Sequence, residues 1–394
     1  MVSCLALGCG LGLGCGSSES PGDPSGADAG SETAALADAR AGDDTAATSG
    51  DTAPDAPVRV VGSCAGLGAV DAWEDITPKG VDRTHGLGVL TITSDPLHAG
   101  TILIGTDNQG VWKSTDCGST WSKINTGKNG EKLDTGSTWT VMIDPFDSNV
   151  IYAASLYGPD PSLQKSTNGG VDWESLSPPD SLVATHVEFN FFQALSIDPD
   201  DHLHLVVSYH ADCKPPYAKM CLGDSHDGGL TWRLFNGPRD SWGERAGPMI
   251  LGPKTFLYHT WGDGFFYTGD DGATWEKVGP GSNFQSYRAG DGYRYLGTAF
   301  GMHRSLDGHV WTKVDKAPQG DALIGDGTRV FTAWGDSAPQ YATAPDSAPT
   351  TWTTFAGPVA SSTHRVTGFA YDPDHKLLYS VNTNDGLFRM VTKK

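Results

Sequence analysis

Charged residues are scarce in this chain: Asp, Glu, Lys and Arg together occupy only 19% of its 394 positions. Cations are the scarcer half, 27 against 47 acids, which leaves a formal charge of −20. That balance argues against nucleic acid as a partner, because phosphate recognition needs a basic footprint. A polyanionic glycan would likewise need local cations to overcome the field of the whole molecule. No run of eighteen apolar residues occurs, so no stretch is long and apolar enough to cross a membrane as a helix. Cysteine is sparse too, 7 residues in all, and no spacing among them resembles a zinc site.

The abundant residues are Gly (51), Pro (24) and Trp (12). Such usage favours short strands joined by tight turns. The first fifteen residues, MVSCLALGCGLGLGC, are small, apolar and uncharged, and run into Gly16, Ser17 and Ser18. The pattern predicts an export segment of lipoprotein type over residues 1–15, with Cys15 lipidated and Cys9 as the alternative. No Lys or Arg precedes it, which leaves the true start codon open. Residues 16–57 contain no aromatic and are dominated by Asp, Ser, Ala, Gly and Pro, the composition of a flexible acidic linker. The expected location is therefore the cell surface or periplasm as a lipoprotein, or the medium, with membrane contact only through the lipid. Four cysteines remain beyond residue 57. An even number in an oxidising compartment suggests two disulfides, Cys213–Cys221 around one short loop and Cys64–Cys117.

An internal repeat organises residues 58–394. Ser114-Thr-Asp116-Cys-Gly118-Ser-Thr120-Trp121 and Ser225-His-Asp227-Gly-Gly229-Leu-Thr231-Trp232 share every fixed position of one pattern. Thr268 to Trp275, Ser166 to Trp173 and Ser305 to Trp311 are degenerate copies. Physically each is a turn: the Asp accepts backbone N–H bonds, the Gly takes a positive φ, and the Trp packs between sheets. The aspartates are thus expected to be structural rather than catalytic. Each turn sits in a unit of four short strands, such as VLTITSDP, TILIGTD, GVWKSTD and the Trp121 strand. That is one blade of a β-propeller.

Tryptophans count the blades. Trp121, Trp173, Trp232, Trp275, Trp311 and Trp352 recur at intervals of 52, 59, 43, 36 and 41 residues. Trp73, 48 residues before Trp121, has no strands ahead of it, whereas GFAYDP, KLLYSVN and GLFRMV at the other end lack a tryptophan strand. Residues 71–77 are therefore predicted to complete the last blade. The expected fold is all-β: a seven-bladed propeller with four-stranded blades, the last closed by an N-terminal strand.

Propeller topology sorts the loops onto two faces. The repeat turns and the Asp-Pro turns at Asp95, Asp144, Asp198 and Asp372 share one. Inter-blade connections and the loops between second and third strands share the other, around the channel, where propellers commonly bind ligands. This sorting gives the channel face His85, Trp139, His186, Glu188, Glu244, Arg245, Tyr287, Arg288, Asp321, His364 and Arg365, together with His210 and Trp261. Aromatic faces stack on sugar C–H surfaces, and charged groups bond hydroxyls or carboxylates.

The repeat resembles the Asp box of the sialidase-like propeller superfamily, and the resemblance covers residues 71–394. That superfamily includes sialidases, xyloglucanases, polysaccharide lyases, receptors and assembly factors, so the likeness implies fold more firmly than activity. No Arg-Ile-Pro motif is present, which argues against a sialidase proper. The implied function is an exported protein that cleaves or binds an extracellular polysaccharide. A hydrolase would use Glu188 and Glu244. A lyase would use His186 or His364 as base, Tyr287 as acid and Arg245 or Arg365 to neutralise a uronate. A non-catalytic glycan-binding or assembly scaffold is the third reading. For substrate contact the expected residues are His85, Trp139, His210, Arg245, Trp261, Arg288 and Arg365. No cofactor is called for, a divalent metal stays open, and a monomer is expected.

Overall fold

The computed structural model describes residues 58–393 except 189–190, 242–246, 261–262, 299, 336, 348, 350 and 361. Cys15, the linker over 16–57, Glu244, Arg245 and Trp261 lie outside the described residues.

The run IYAASL is buried at every position from Ile151 to Leu156, as is LLYSVN from Leu377 to Asn382. A strand hidden on both faces must stand between two other layers. Neighbouring blades are those layers. Seven four-stranded antiparallel sheets form a ring, a β-propeller. Their innermost strands, which define blades 1 to 7, are Val89–Ser94, Ser137–Ile143, Phe192–Ile197, Gly247–Gly252, Ser282–Arg288, Ala322–Gly325 and Val366–Asp372. In six blades, sheet order follows chain order. Blade 7 is completed from the other end of the chain by Trp73–Asp75, antiparallel to Gly386–Val391 with Trp73 opposite Met390. The closing strand is thus where the tryptophan count put it, and it is three residues long.

The repeat turns explain their own sequence. In blade 3, Asp227 accepts from Ser225 Oγ at 2.8 Å, from Thr231 N at 2.8 Å and from Thr231 Oγ1 at 2.6 Å. Asp116 and Asp270 make the same three bonds. Hydrogen bonds of this kind hold the Asp270 carboxyl down to about 2. Blade 2 exchanges the partners: Asn168 stands in the Asp position and Asp172 in the Thr position, still bonded to each other at 2.8 Å. Gly118 has φ 90, and a Cβ there would strike Ile76 beside the closing strand, so the turn seats its glycine against the preceding blade. Trp73, Trp121, Trp232 and Trp275 each donate the indole N–H to a carbonyl of the preceding blade. Asp227→Ala is expected to lower unfolding free energy by about 1–2 kcal/mol, the exposed site limiting the effect. A denaturant titration checks this, and an unchanged midpoint would contradict the structural role.

Both disulfides are formed, with Cα separations of 5.5 Å for Cys64–Cys117 and 5.9 Å for Cys213–Cys221. The first lies on the face of the repeat turns. There the N-terminal segment runs across the junction of blades 7 and 1, with Val60–Val61 pairing in parallel with His98–Ala99. Arg59 adds an ion pair to Asp374 at 2.7 Å, and His375 Nε2 lies 2.9 Å from the Gly62 carbonyl.

Candidate functional site

Chain direction fixes what reaches the channel mouth. Every innermost strand starts there, so the residues at or just before its first position project into the mouth. Asp321 occupies that place in blade 6 and Arg365 in blade 7, while Trp139 is the third residue of the blade 2 strand, beside its bulge. Second strands end there, which delivers Tyr157 in blade 2 and His210 in blade 3. These five side chains converge on a cavity of about 480 Å³. Its deeper wall carries Thr91, Thr140, Gln193, His259 and Gln285 from the strands themselves.

Two features stiffen that wall. Gln285 reaches across from blade 5, donating Nε2–H to the Phe369 carbonyl at 3.0 Å. Its Oε1 accepts from Leu323 N and Phe369 N, both at 3.1 Å, so one side chain bonds blades 6 and 7. His259 is 2% exposed, and burial pushes its imidazole down to about 4. It is neutral at physiological pH.

The rim over blades 2 and 3 is aromatic. Tyr157 lies edge-on to Phe191 at 4.9 Å and to His210 at 6.0 Å, and Phe191 lies 5.6 Å from His210. Tyr157 is 62% exposed and holds a φ of 57. A bulky residue in left-handed backbone is strained, and a large exposed ring loses hydrophobic burial, so two costs coincide at one residue. The Cys213–Cys221 loop is tied to the connection that leads to Phe191, through a bridge between Val187 and Cys213 and Glu188 N donating to the Asp212 carbonyl at 3.0 Å.

The sequence-derived candidates divide accordingly. Trp139, His210 and Arg365 line the cavity. His186 and Glu188 belong to the channel-face connection into blade 3 but do not line the cavity; His186 sits edge-on to Tyr217 at 5.4 Å. His85 is exposed on the connection from blade 7 to blade 1. His364 is half-buried at the mouth, with Nδ1 3.6 Å from Asp385 Oδ1, and it too does not line the cavity. Tyr287 and Arg288 require a correction, because they close the inner strand Ser282–Arg288 at the opposite face. The Tyr287 hydroxyl donates to Asp346 Oδ2 at 3.0 Å and accepts from Gly327 N at 3.0 Å, both near the turn face of blade 6. The stretch SNFQSYR lacks the apolar run of the other inner strands and pairs irregularly between Ser282 and Ser286, which displaced the reading by one strand. Asp321 is the sole carboxylate among the described residues lining the cavity.

Sequence reasoning missed Tyr157, Phe191, His259 and Gln285. Tyr157 had one signal, an aromatic placed directly before Gly158 and Pro159 in a loop. Buried polar residues inside apolar strands, such as His259, carry no such mark.

No family model matches the chain, and no curated protein matches it. Among solved structures, a GH74 xyloglucanase of Xanthomonas campestris aligns with TM-score 0.55 at 16% identity, over 80% of this chain and 52% of its own. The GH74 enzyme of Niastella koreensis aligns with TM-score 0.60 at 15% identity, over 81% and 53%. The extracellular domain of a hybrid two-component system of B. thetaiotaomicron aligns with TM-score 0.54 at 13% identity, over 77% and 39%. The chain therefore spans about half the length of the two GH74 enzymes. At these identities the likeness is one of fold, and what it establishes is the propeller.

Proposed function

We propose that the channel mouth binds an extracellular polysaccharide, in an exported propeller of the sialidase-like Asp-box superfamily. The observation that carries this reading is the exposed, strained Tyr157 in an aromatic rim beside a polar cavity. Sugar rings present C–H faces to aromatic planes, while hydroxyls need donors and acceptors at fixed points. Thr140, Gln193, Asp321 and Arg365 supply those points. Two disulfides accord with an oxidising compartment. A neighbour named as a xyloglucanase supports a carbohydrate ligand and makes xyloglucan the first polymer to test. Arg365, the one cation among the described lining residues, makes a uronate polymer the second.

Tyr157→Ala is expected to weaken glycan binding about tenfold or more, roughly 1.4 kcal/mol, with the fold intact. Affinity electrophoresis through gels containing each polymer measures it. Reducing-end release and the absorbance of unsaturated products in the same samples separate hydrolysis and elimination from binding alone. Hydrolysis that survives Asp321→Asn and Glu244→Gln would remove both carboxylates from the mechanism.

A further inference from the structure

Blade 3 carries a second cluster of ligating groups, on the turn face and away from the channel. His204 immediately precedes the strand Leu205–Tyr209, and Asp224 lies on the strand Cys221–Ser225. Both side chains are 1% exposed. His204 Nδ1 lies 3.0 Å from Asp198 Oδ2, a contact that places the ring proton on Nδ1. The other nitrogen, Nε2, faces Asp224 Oδ1 at 3.2 Å. Neither of these two buried atoms has a hydrogen-bond partner, because their approach lacks the alignment. Burial opposes charge on His204, but Asp224 and Asp198 together raise its pKa, so a second ring proton supplies the positive charge this close pair needs, and a metal ion would take that proton's place. Arg233 neutralises the far side only, donating Nη2–H to Asp224 Oδ2 at 2.7 Å. Above the pair, the exposed His226 stacks on His204 at 4.3 Å, with Nε2 3.6 Å from Asp224 Oδ2.

We propose that His204 Nε2, Asp224 Oδ1 and His226 Nε2 form a site for a divalent transition-metal ion, with Zn²⁺ the best match. With metal–ligand bonds of about 2.1 Å, the 3.2 Å separation gives an N–metal–O angle of about 100°, near tetrahedral. Such an ion lies off the direct line between the two atoms, which accounts for their misalignment as a hydrogen bond. Asp198 behind His204 supplies the carboxylate that metal-bound imidazoles commonly bond. Imidazole and carboxylate together suit Zn²⁺ better than Ca²⁺ or Mg²⁺. His226 turns out of its stack to present Nε2, a movement its exposure permits, and water takes the remaining position. The ion would join the first turn, third strand and repeat turn of blade 3. The other three-group cluster among the described residues, Cys64, Cys117 and His375, offers no equivalent, since its two sulfurs are bonded to each other.

Calorimetric titration of the metal-free full chain with Zn²⁺ near neutral pH tests this, with Co²⁺ as a spectroscopic substitute. One ion per chain is expected, with visible Co²⁺ absorption of a four-coordinate N/O site and a raised melting temperature. His226→Ala, an exposed change that leaves the buried pair in place, is expected to weaken Zn²⁺ binding about tenfold or more. Asp224→Asn is the second variant, with circular dichroism as the check on folding. Absence of Zn²⁺ binding up to about 100 µM would overturn the proposal. So would His226→Ala protein that binds as tightly as the parent.

Discussion

Changing Cys64 and Cys117 together to serine is expected to lower unfolding free energy by about 4 kcal/mol, given a sequence separation of 53 residues. The loss comes mainly from the unfolded chain, which regains the freedom that the covalent loop removes. The same relation gives about 2.5 kcal/mol for Cys213–Cys221, whose separation is 8. Position adds to the difference. Cys117 belongs to the repeat turn of blade 1, while Cys64 leads into the strand that closes blade 7. Arg389, 4% exposed, gathers the same junction: Nε donates to Glu74 Oε2 at 2.8 Å, and Nη1 to the Cys117 carbonyl at 2.9 Å. Its Nη2 reaches the Gly66 carbonyl at 3.2 Å. Breaking the first disulfide should therefore loosen the closure of the ring, and breaking the second should loosen the aromatic rim. Guanidinium unfolding of the two double mutants measures the order. A larger loss for the Cys213–Cys221 variant would contradict this account of the closure.

Acid should act through His259. Its imidazole titrates near 6.5 in the unfolded chain and is pushed by burial down to about 4 in the folded one. Between those values the unfolded state binds the extra proton, so stability falls as pH drops through the window. The folded state protonates only below it, where the loss levels off. The full effect is roughly 3 kcal/mol. Carboxylates held low by hydrogen bonds, Asp270 among them, lose their own contributions at lower pH. His259→Gln removes the histidine term alone. Denaturant titrations from pH 7 down to about 4 should show a shallower decline in the variant. Parallel curves for the two proteins would refute the assignment.

How much of this was legible depended on where each residue's role is decided. The repeat turns are local: Ser, Asp, Gly, Thr and Trp satisfy one another within eight positions, so the pattern survives in the sequence. Trp73 was legible for the same reason, as a blade's last strand without its first three. Blade 5 was not, because SNFQSYR carries no apolar run, and its Gln285 and Tyr287 side chains find their partners in blades 7 and 6. Trp139 and Arg365 followed from topology, since the start of an inner strand always faces the mouth. Tyr157 did not, because its backbone conformation and its contact with Phe191 exist only in the folded chain. His204 and Asp224 lie twenty residues apart, and only the pairing of second and third strands brings them together.

The central claim is that the channel mouth, not the turn face, is where polysaccharide binds. Affinity electrophoresis on xyloglucan and on a uronate polymer tests it most directly, comparing the parent chain with Tyr157→Ala and with His226→Ala on the opposite face. The account predicts retardation of the parent by at least one polymer, its loss in Tyr157→Ala, and its retention in His226→Ala. Retardation that is unchanged in Tyr157→Ala, or absent from the parent on both polymers, would contradict it.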